Sequence, residues 1–358
     1  MSNYLINATE LREFVNLALR RVGYSESDAE DAASILIWAS LRGVDTHGIR
    51  NLVSYYVETV RSGQIDPQAK LVITRETQHA VRINGNSSTG LVATTHAARA
   101  AIQKANETGV GLAAVYNSHH LGPAGFYANL AIEHAMLGLC ASGHFFGRGF
   151  DIGVAPINGL RAMLSTNPFA FAAPCGTKPP FVLDMSTAVT TVNRIQSYGQ
   201  AERPIPNGWA KDLAGQPTND PNIGTILFPL GGETETGGHK GVGLSMMVSI
   251  LSGVLSGAWA NCSDGSEYDQ PTMGHFVAAI RIADFMPVEE FTAAMDAFVT
   301  AIQSSDRLNA DEPIHYPGSQ EHATAIARTK SGIPIDERLR NELRLLAESL
   351  SISGDLFG

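Results

Sequence analysis

The chain has 358 residues, which is enough for about two domains of ~150 residues each. Hydrophobic residues make up 44% and charged residues only 17%, so the chain can bury a large core and is not intrinsically disordered. Its formal net charge of −10 argues against the Lys- and Arg-rich surface that nucleic acids and anionic membranes require. We therefore expect neither as a partner.

Helices are predicted at both ends of the chain. Residues 7–10 (Asn-Ala-Thr-Glu) resemble a capping box ahead of apolar residues at helical spacing, a second helix begins at Ser27, and a third covers residues 49–60. An apolar stripe recurs near the C-terminus in Leu339, Leu343, Leu346 and Leu350. We expect residues 1–75 and 316–358 to form one helical unit beside a central domain of residues 76–315.

The middle of the chain is poor in charge and alternates predicted strands with predicted helices, which indicates an α/β fold with a mixed sheet. Short apolar runs bounded by Gly, Pro and Asn predict strands at residues 110–116, 137–141, 169–173, 181–183 and 275–282. Helices are predicted at residues 91–105, 124–134, 187–197 and 288–302. Residues 153–168 and 204–238 are expected to be long loops.

Residues 241–263 contain no charged side chain, as in a membrane span. Four hydroxyls fall on one helical face, however, and no basic cluster or aromatic belt flanks the segment. These hydroxyls belong to Ser245, Ser249, Ser252 and Ser256. We expect a core or subunit-contact helix that packs closely through its small residues, and no membrane span.

Three cysteines, Cys140, Cys175 and Cys262, are widely spaced and form no CxxC pair. This pattern is typical of free thiols in a reducing compartment and not of a disulfide framework or a structural zinc site. The first 14 residues lack the basic and apolar regions of a signal peptide. We expect a cytoplasmic protein without a metal.

The common nucleotide-binding motifs are absent. Gly147, Gly149 and Gly153 are spaced one residue too widely for a Rossmann fingerprint, and no clear strand-to-helix transition surrounds them. Residues 237–241 (Gly-Gly-His-Lys-Gly) do not form a Walker loop either. Any cofactor site must therefore have another design.

The segment Asp45-Thr46-His47-Gly48-Ile49-Arg50 contains groups that reduction of a 2-oxo acid requires. His47 has the residue type that gives a proton to a developing alkoxide, and Arg50 has the fork that binds a carboxylate. The alternative is that Asp45 or Thr46 merely caps the third helix.

Three further segments combine polar groups in a suggestive way. His119 and His120 follow a predicted strand and are candidates for acid–base chemistry or substrate contact. They could instead bind a metal, although the sequence offers no convincing third ligand, or belong to a loop with a structural role only. Asp184 ends a predicted strand and either holds a substrate group or histidine, or caps the next helix. Lys240, among glycines at a helix start, offers an anion site or a flexible linker.

In this order, eight segments of the sequence resemble the malate/L-lactate dehydrogenase family, which is unrelated to the Rossmann dehydrogenases and includes ureidoglycolate, sulfolactate, diketogulonate and cyclic-imine carboxylate oxidoreductases. They span nearly the whole chain: RGVDTHGIRNLVSYY (42–56), NSHHLGPAGFYANLA (117–131), LSTNPFAFAAP (164–174), PPFVLDMST (179–187), GWAKDLAGQPTNDP (208–221), HKGVGLSMMVSILSGVLSGA (239–258), GHFVAAI (274–280) and YPG (316–318).

The resemblance implies an α/β fold with a non-Rossmann nicotinamide-binding central domain, and a homodimer with the active site near the subunit boundary. It implies that the chain interconverts a 2-hydroxy acid and a 2-oxo acid with NAD, or NADP, by hydride transfer. We expect His120 to transfer the proton, with His47 supporting it or exchanging roles and Asp184 orienting a donor. Arg50 and His119 are the expected substrate contacts. The implied cofactor contacts are Ser142, Leu183, Asp184, Met185, Lys240, Gly241 and Gly318.

Two departures from the family pattern bear on specificity. The family commonly has an arginine four residues after the motif histidine, whereas here Arg50 is three residues after His47 and Asn51 follows. Residues 143–153 also depart from the usual short link. Binding of a 2′-phosphate requires a local Arg or His, for which Arg148 and His144 are the candidates. An NADPH-dependent reductase of cyclic imine 2-carboxylates is the alternative function.

Overall fold

The computed structural model describes residues 4–144, 151–259 and 273–357. The predictions that concern Gly147, Arg148, Gly149 and Cys262 fall outside these ranges. The described chain combines helices with three β-sheets, which confirms the predicted α/β class with a mixed central sheet.

The central sheet has seven strands. In spatial order they are β2 (Val72–Glu76), β3 (Ala80–Ser88), β4 (Val110–Ser118), β12 (Met273–Arg281), β5 (Met136–His144), β7 (Phe169–Ala173) and β8 (Phe181–Met185). Only β3 and β4 pair in parallel, because helix α4 (Gly90–Thr108) returns the chain between them, and every other pair in this sheet is antiparallel. Every predicted strand is present, whereas β2 and β3 were not predicted.

The other helices cover the sheet and form the terminal layers. They are α1 (Ala8–Arg21), α2 (Glu26–Leu41), α3 (Glu58–Arg61), α5 (Ala124–Leu130), α6 (Val192–Gln200), α7 (Gly238–Ser249), α8 (Val288–Gln303), α9 (Ser319–Ser331) and α10 (Glu337–Ser349). Asn7 caps α1 as predicted, since its side-chain oxygen accepts the N–H groups of Thr9 and Glu10. Helix α6 begins at Val192, so the predicted start at residue 187 was wrong.

The two ends of the chain meet. Strand β1 (Tyr4–Ile6) pairs antiparallel with β13 (Ile333–Ile335), and Leu339 and Leu343 of α10 share one hydrophobic cluster with Leu11 of α1. The same cluster continues through α2 and α4 to the central sheet. A division into two domains therefore stays a prediction.

The two predicted long loops contain a second sheet of four strands. These are β6 (Gly153–Val154), β9 (Ala210–Lys211), β10 (Pro217–Thr218) and β11 (Ile226–Leu227), in the order β10-β9-β11-β6. The prediction of plain loops was wrong because strands of two residues are too short to show the alternating pattern from which a strand is recognised.

The segment without charged residues, which covers most of α7 and the π-helical turn Ile250–Val254 after it, packs on the central sheet through its small residues, as expected. Ser245, Ser252 and Ser256 are buried, and a Cβ atom added to Gly274 of β12 would lie 1.9 Å from the carbonyl oxygen of Ser252. Only glycine permits this approach of helix and strand. Within the described residues, the model contains no helix with the length and apolar character needed to cross a bilayer.

Candidate active site

A cavity of about 190 Å³ lies between the helical layer and the edge of the central sheet. Its walls include four predicted site residues, His47, Asp184, Met185 and Gly318, from three distant parts of the chain. A cavity of about 260 Å³ beside the small sheet contains Lys211 and Glu233 but no histidine. The cavity at His47 is therefore the candidate active site.

The His47 ring lines this cavity, and the His120 ring, which is not among the lining residues, stacks against it. The ring centroids of His47 and His120 are 5.6 Å apart and the ring planes differ by 21°. His120 follows the end of β4, where Asn117 adopts a φ of 56° and Gly90 of α4 lies so close that an added Cβ would be 2.1 Å from the carbonyl oxygen of His119. The close approach of α4 thus fixes the backbone that carries His120.

Hydrogen bonds define which nitrogen of His120 carries a proton. The backbone N–H of Gly122 donates to Nδ1 at 3.2 Å, and the Tyr56 hydroxyl lies 2.8 Å from the same atom. Because a backbone N–H can only donate, Nδ1 is an acceptor, and the neutral ring carries its proton on Nε2. His120 is therefore arranged to donate a hydrogen bond through Nε2.

His47 has a different partner. Its Nδ1 lies 2.9 Å from the Thr46 hydroxyl, which can donate or accept, so either tautomer of His47 is satisfied. Neither His47 Nε2 nor His120 Nε2 has a hydrogen-bond partner among the described residues. Both atoms are free to contact a ligand. Only the His47 ring can present an unprotonated Nε2 without losing a hydrogen bond at Nδ1.

Burial keeps both rings neutral. It lowers the pKa of His47 to about 4 and, together with the smaller effects of His47 and His275, lowers the pKa of His120 to about 3. A negatively charged ligand would favour the protonated forms. The pair therefore suits a reaction in which an imidazole gains and loses a proton beside an anion.

The tyrosines that hold His120 were not predicted. Tyr56 is fully buried, and the Tyr55 ring centroid lies 4.8 Å from that of His120. Both tyrosines lie in a π-helical turn, Leu52–Val57, between a 3₁₀ turn, Ile49–Asn51, and α3. The predicted third helix is thus continuous but not regular. No sequence pattern distinguishes such a π-turn, which occurs frequently at functional sites.

Asp184 ends β8 and faces the cavity. Its Oδ2 accepts the N–H of Gly125 in α5 at 2.7 Å, and it does not cap α6, whose N-cap is Thr191. Desolvation by the surrounding protein raises the pKa of Asp184 to about 6, and the hydrogen bond from the Gly125 N–H opposes this rise. The side chain still faces the cavity, where water can reach it. A carboxylate in this position can accept a hydrogen bond from a ligand.

The two predicted substrate contacts lie elsewhere. Arg50 Nη2 is 2.7 Å from Asp336 Oδ2, the N-cap of α10, and Arg50 is not among the residues that line the cavity. The Nε2 atom of His119 is buried and has no hydrogen-bond partner among the described residues. Asp45 pairs with Arg328 and caps no helix.

The predicted cofactor contacts are divided between two places. Met185 and Gly318 line the cavity with Asp184, and Leu183 lies beside them on β8. Ser142, in contrast, is buried in the sheet, where its hydroxyl lies 2.9 Å from Nδ1 of His275.

Lys240 and Gly241 lie in the first turn of α7. The Lys240 side chain is exposed, and neither residue lines the cavity. A Cβ atom added to Gly241 would lie 2.1 Å from the carbonyl oxygen of Leu230, so close packing alone requires glycine there.

His275 was not predicted as a polar site. It is fully buried on β12, with Nδ1 facing the Ser142 hydroxyl and Nε2 3.3 Å from the Ser118 hydroxyl. The available signal was a histidine within the apolar strand GHFVAAI, because a buried polar side chain must find hydrogen-bond partners.

The cavity fits part of a nicotinamide dinucleotide. Its volume is below the ~300–1,000 Å³ of typical ligand pockets, so the described residues enclose only a portion of such a molecule. Its walls offer the Asp184 carboxylate, the hydroxyls of Thr166 and Ser186, and the guanidinium of Arg42. Acceptors, hydroxyls and a cation are what a carboxamide, a ribose and a phosphate require.

The chain is similar to proteins of one family over nearly its whole length. A family model described as malate/L-lactate dehydrogenase matches residues 6–344. A malate dehydrogenase of Pyrococcus abyssi is 38% identical over 358 residues, which cover 98% of this chain and 97% of that protein. A (2R)-3-sulfolactate dehydrogenase (NADP(+)) of Chromohalobacter salexigens is 28% identical over 352 residues, covering 96% of this chain and 98% of that protein.

A solved structure shares the fold over its full length. The crystal structure of malate dehydrogenase from Entamoeba histolytica superimposes with a TM-score of 0.90 and 30% identity, covering 98% of this chain and 99% of that one. With the family model matched over nearly all of its residues, the chain belongs to the malate/L-lactate dehydrogenase family.

Proposed function

We propose that this chain is an NAD(P)-dependent oxidoreductase that interconverts a small 2-hydroxy acid and its 2-oxo acid. The observation that carries the proposal is the stacked pair of His47 and His120, in which His47 lines the same cavity as Asp184. An alcohol–ketone interconversion needs a group that exchanges a proton with the substrate oxygen, and two neutral imidazoles with free Nε2 atoms supply it.

The geometry favours His47, and not His120, as the group that transfers the proton, which reverses the roles expected from the sequence. His120 carries its proton on Nε2 and would donate a hydrogen bond to the substrate oxygen, which stabilises negative charge there. His47 would transfer the proton, since its Thr46 partner tolerates either tautomer. When bound, the nicotinamide group supplies or accepts the hydride.

Asp184 and the residues beside it would hold the cofactor and exclude water. Its carboxylate, fixed by Gly125, would accept a hydrogen bond from a donor of the bound cofactor. Met185 and Gly318 would contact the same group, because they share the cavity wall. The family uses NAD and NADP, as the name of the NADP(+) relative illustrates, and we propose NAD for this chain.

A comparison of single variants tests this function. Wild type, His47→Asn and His120→Asn are assayed with NADH and NADPH against oxaloacetate, pyruvate and a cyclic imine acid, with cofactor affinity measured separately. His134→Asn, at an exposed histidine outside the cavity, is the matched control. We expect oxo-acid reduction by wild type and a fall in kcat of ~10²–10⁴-fold for His47→Asn at unchanged cofactor affinity.

Two outcomes would contradict the proposal. If wild type reduces only the cyclic imine, the alternative function is correct. If His47→Asn retains near-normal kcat while His120→Asn loses it, His120 transfers the proton.

The proposed assembly is a homodimer. The uncharged segment of α7 and the π-helical turn Ile250–Val254 exposes large apolar side chains on its outer face. These are Leu244, Met246, Met247, Ile250, Val254 and Leu255. Contiguous exposed apolar surface of this kind is typical of a protein interface. Sedimentation of Ile250→Asp should therefore give a smaller species than wild type, and an unchanged mass would exclude this face. A cytoplasmic location stays a prediction from the sequence.

A further inference from the structure

One arginine at the active-site cavity leaves its hydrogen-bonding capacity unused. Arg42 is half-buried at the C-cap of α2, and its guanidinium carbon lies 4.4 Å from the centroid of the Trp38 ring. A guanidinium group remains charged in proteins and has five N–H donors. Among the described residues, none forms a hydrogen bond or ion pair with it.

The neighbouring arginines are satisfied within the protein. Arg50 pairs with Asp336, and Arg328 donates to both oxygens of Asp45 at 2.6 and 3.1 Å. Glu321 also lines the cavity and interacts electrostatically with Arg42, but its carboxylate oxygen accepts the N–H of Gly318 at 3.2 Å. Arg42 is thus a held cation that has the Glu321 charge nearby but forms no ion pair with it among the described residues.

Trp38 holds this cation in place. The indole ring packs edge-on against Phe126 of α5, with ring centroids 5.7 Å apart, so Trp38 cannot easily move away. Stacking on the ring face orients the guanidinium plane and leaves its N–H edges available. A planar cation with free edges at a cavity wall is arranged to bind an oxyanion through two parallel hydrogen bonds.

The position of Arg42 indicates which oxyanion it binds. The substrate carboxylate is bonded to the carbon whose oxygen must contact the histidines, so its clamp must lie beside them. The described neighbours of His47 are Thr46 and His120, whereas those of Arg42 are Trp38 and Glu321. Glu321 in turn accepts the N–H of Gly318, an expected cofactor contact, so Arg42 lies on the part of the wall where the cofactor is expected. This position favours a phosphate of the cofactor over the substrate carboxylate.

We propose that Arg42 binds the pyrophosphate of the nicotinamide dinucleotide. The inference rests on the proposed function, because it presumes that this cofactor occupies the cavity. A 2′-phosphate is a less suitable ligand, since it lies on the adenosine at the far end of the molecule, whereas Arg42 and His47 share one cavity of about 190 Å³.

Binding measurements on Arg42 variants test the proposal. Dissociation constants for NADH, NADPH and ADP-ribose are measured by titration calorimetry for wild type, Arg42→Gln and Arg42→Lys. Loss of charge-assisted hydrogen bonds should weaken all three ligands by ~10–100-fold in Arg42→Gln, and less in Arg42→Lys. Arg99→Gln, which removes a surface arginine paired with Asp31, is the matched control and should leave the three affinities unchanged.

ADP-ribose is the decisive probe, because it contains the pyrophosphate but no nicotinamide. Unchanged affinities in a folded Arg42→Gln would overturn the proposal, with folding checked by thermal unfolding and by Arg42→Lys. A loss confined to NADPH would assign Arg42 to the 2′-phosphate, and a raised KM for the oxo acid at unchanged cofactor affinity would assign it to the carboxylate. If wild type binds no nicotinamide nucleotide, the proposed function itself fails.

Discussion

Two histidine sites of this protein share one physical feature and differ in another. His47 and His120 at the cavity and His275 within the sheet all have a pKa lowered by burial. Both ring nitrogens of His275 face serine hydroxyls, whereas Nε2 of each cavity histidine has no partner among the described residues. A shifted pKa therefore does not by itself identify a catalytic group. An unpaired nitrogen facing a cavity is the more specific sign.

The largest expected effect is on the pH dependence of reduction. Because the free protein holds His47 neutral with a pKa of about 4, the protonated donor becomes rarer as the pH rises. We expect kcat/KM for oxo-acid reduction to fall by up to about tenfold per pH unit above the pKa of His47. Oxidation, which needs the neutral ring, should not depend on His47 titration in that range. The prediction is contradicted if the active wild type has a flat pH profile and His47→Asn has the same profile. In that case the titration of His47 would not distinguish it from the buried His275.

The second effect is on stability and concerns the buried site. His275→Leu leaves the hydroxyls of Ser142 and Ser118 without their partner, which should lower the free energy of unfolding by about 2–4 kcal/mol. Urea denaturation at pH 7 measures this loss, with His134→Leu as the exposed control. A loss below that of the control would show that the buried histidine contributes no more than a surface one.

The variant His275→Leu also allows a test at acidic pH, where the stability of wild type depends on the protonation of His275. Burial lowers the pKa of His275 from 6.5 to about 3, so between these values the unfolded chain binds a proton that the folded chain does not. Stability is fully present above pH ~6.5 and falls as the pH falls, by up to about 1.4 kcal/mol per unit for this group. His275→Leu should therefore show a weaker loss of stability between pH 6.5 and 4 than wild type.

A smaller effect is expected for Tyr56→Phe. The hydroxyl contact to Nδ1 of His120 is lost, while the Gly122 N–H still donates to the same atom. One hydrogen bond of about 1 kcal/mol corresponds to a reduction in kcat of about fivefold. Steady-state kinetics with Tyr55→Phe as the companion variant would measure it, and a loss as large as that of His47→Asn would make Tyr56 part of the proton-transfer machinery.

The smallest effect is expected for Arg50→Gln. Its partner Asp336 is partly exposed, and ion pairs of this kind contribute about 0–1 kcal/mol. The KM for the oxo acid should change little, because Arg50 does not line the cavity. A KM raised tenfold or more would restore Arg50 as the carboxylate clamp that the sequence suggested.

Elements with strong local signals were predictable. The cap of α1 at Asn7 and the strand Phe169–Ala173 follow from residue type and short-range spacing. The small sheet was not predictable, because strands of two residues are too short to show an alternation of apolar and polar side chains. The histidine His275 was recognisable as unusual within an apolar strand, but only the register of β12 against β5 brings it opposite Ser142.

The sequence by itself determined the α/β class, the family and the identity of two motif histidines, because these follow from local patterns and from the order of the motifs. Only the tertiary structure decided which polar groups have a hydrogen-bond or ion-pair partner within the protein. Arg50 is paired with a carboxylate 286 residues away, whereas the guanidinium of Arg42, eight positions earlier, forms no hydrogen bond or ion pair among the described residues. Spacing along a chain does not encode such long-range pairing. A charged side chain is satisfied or left available only when distant segments pack together.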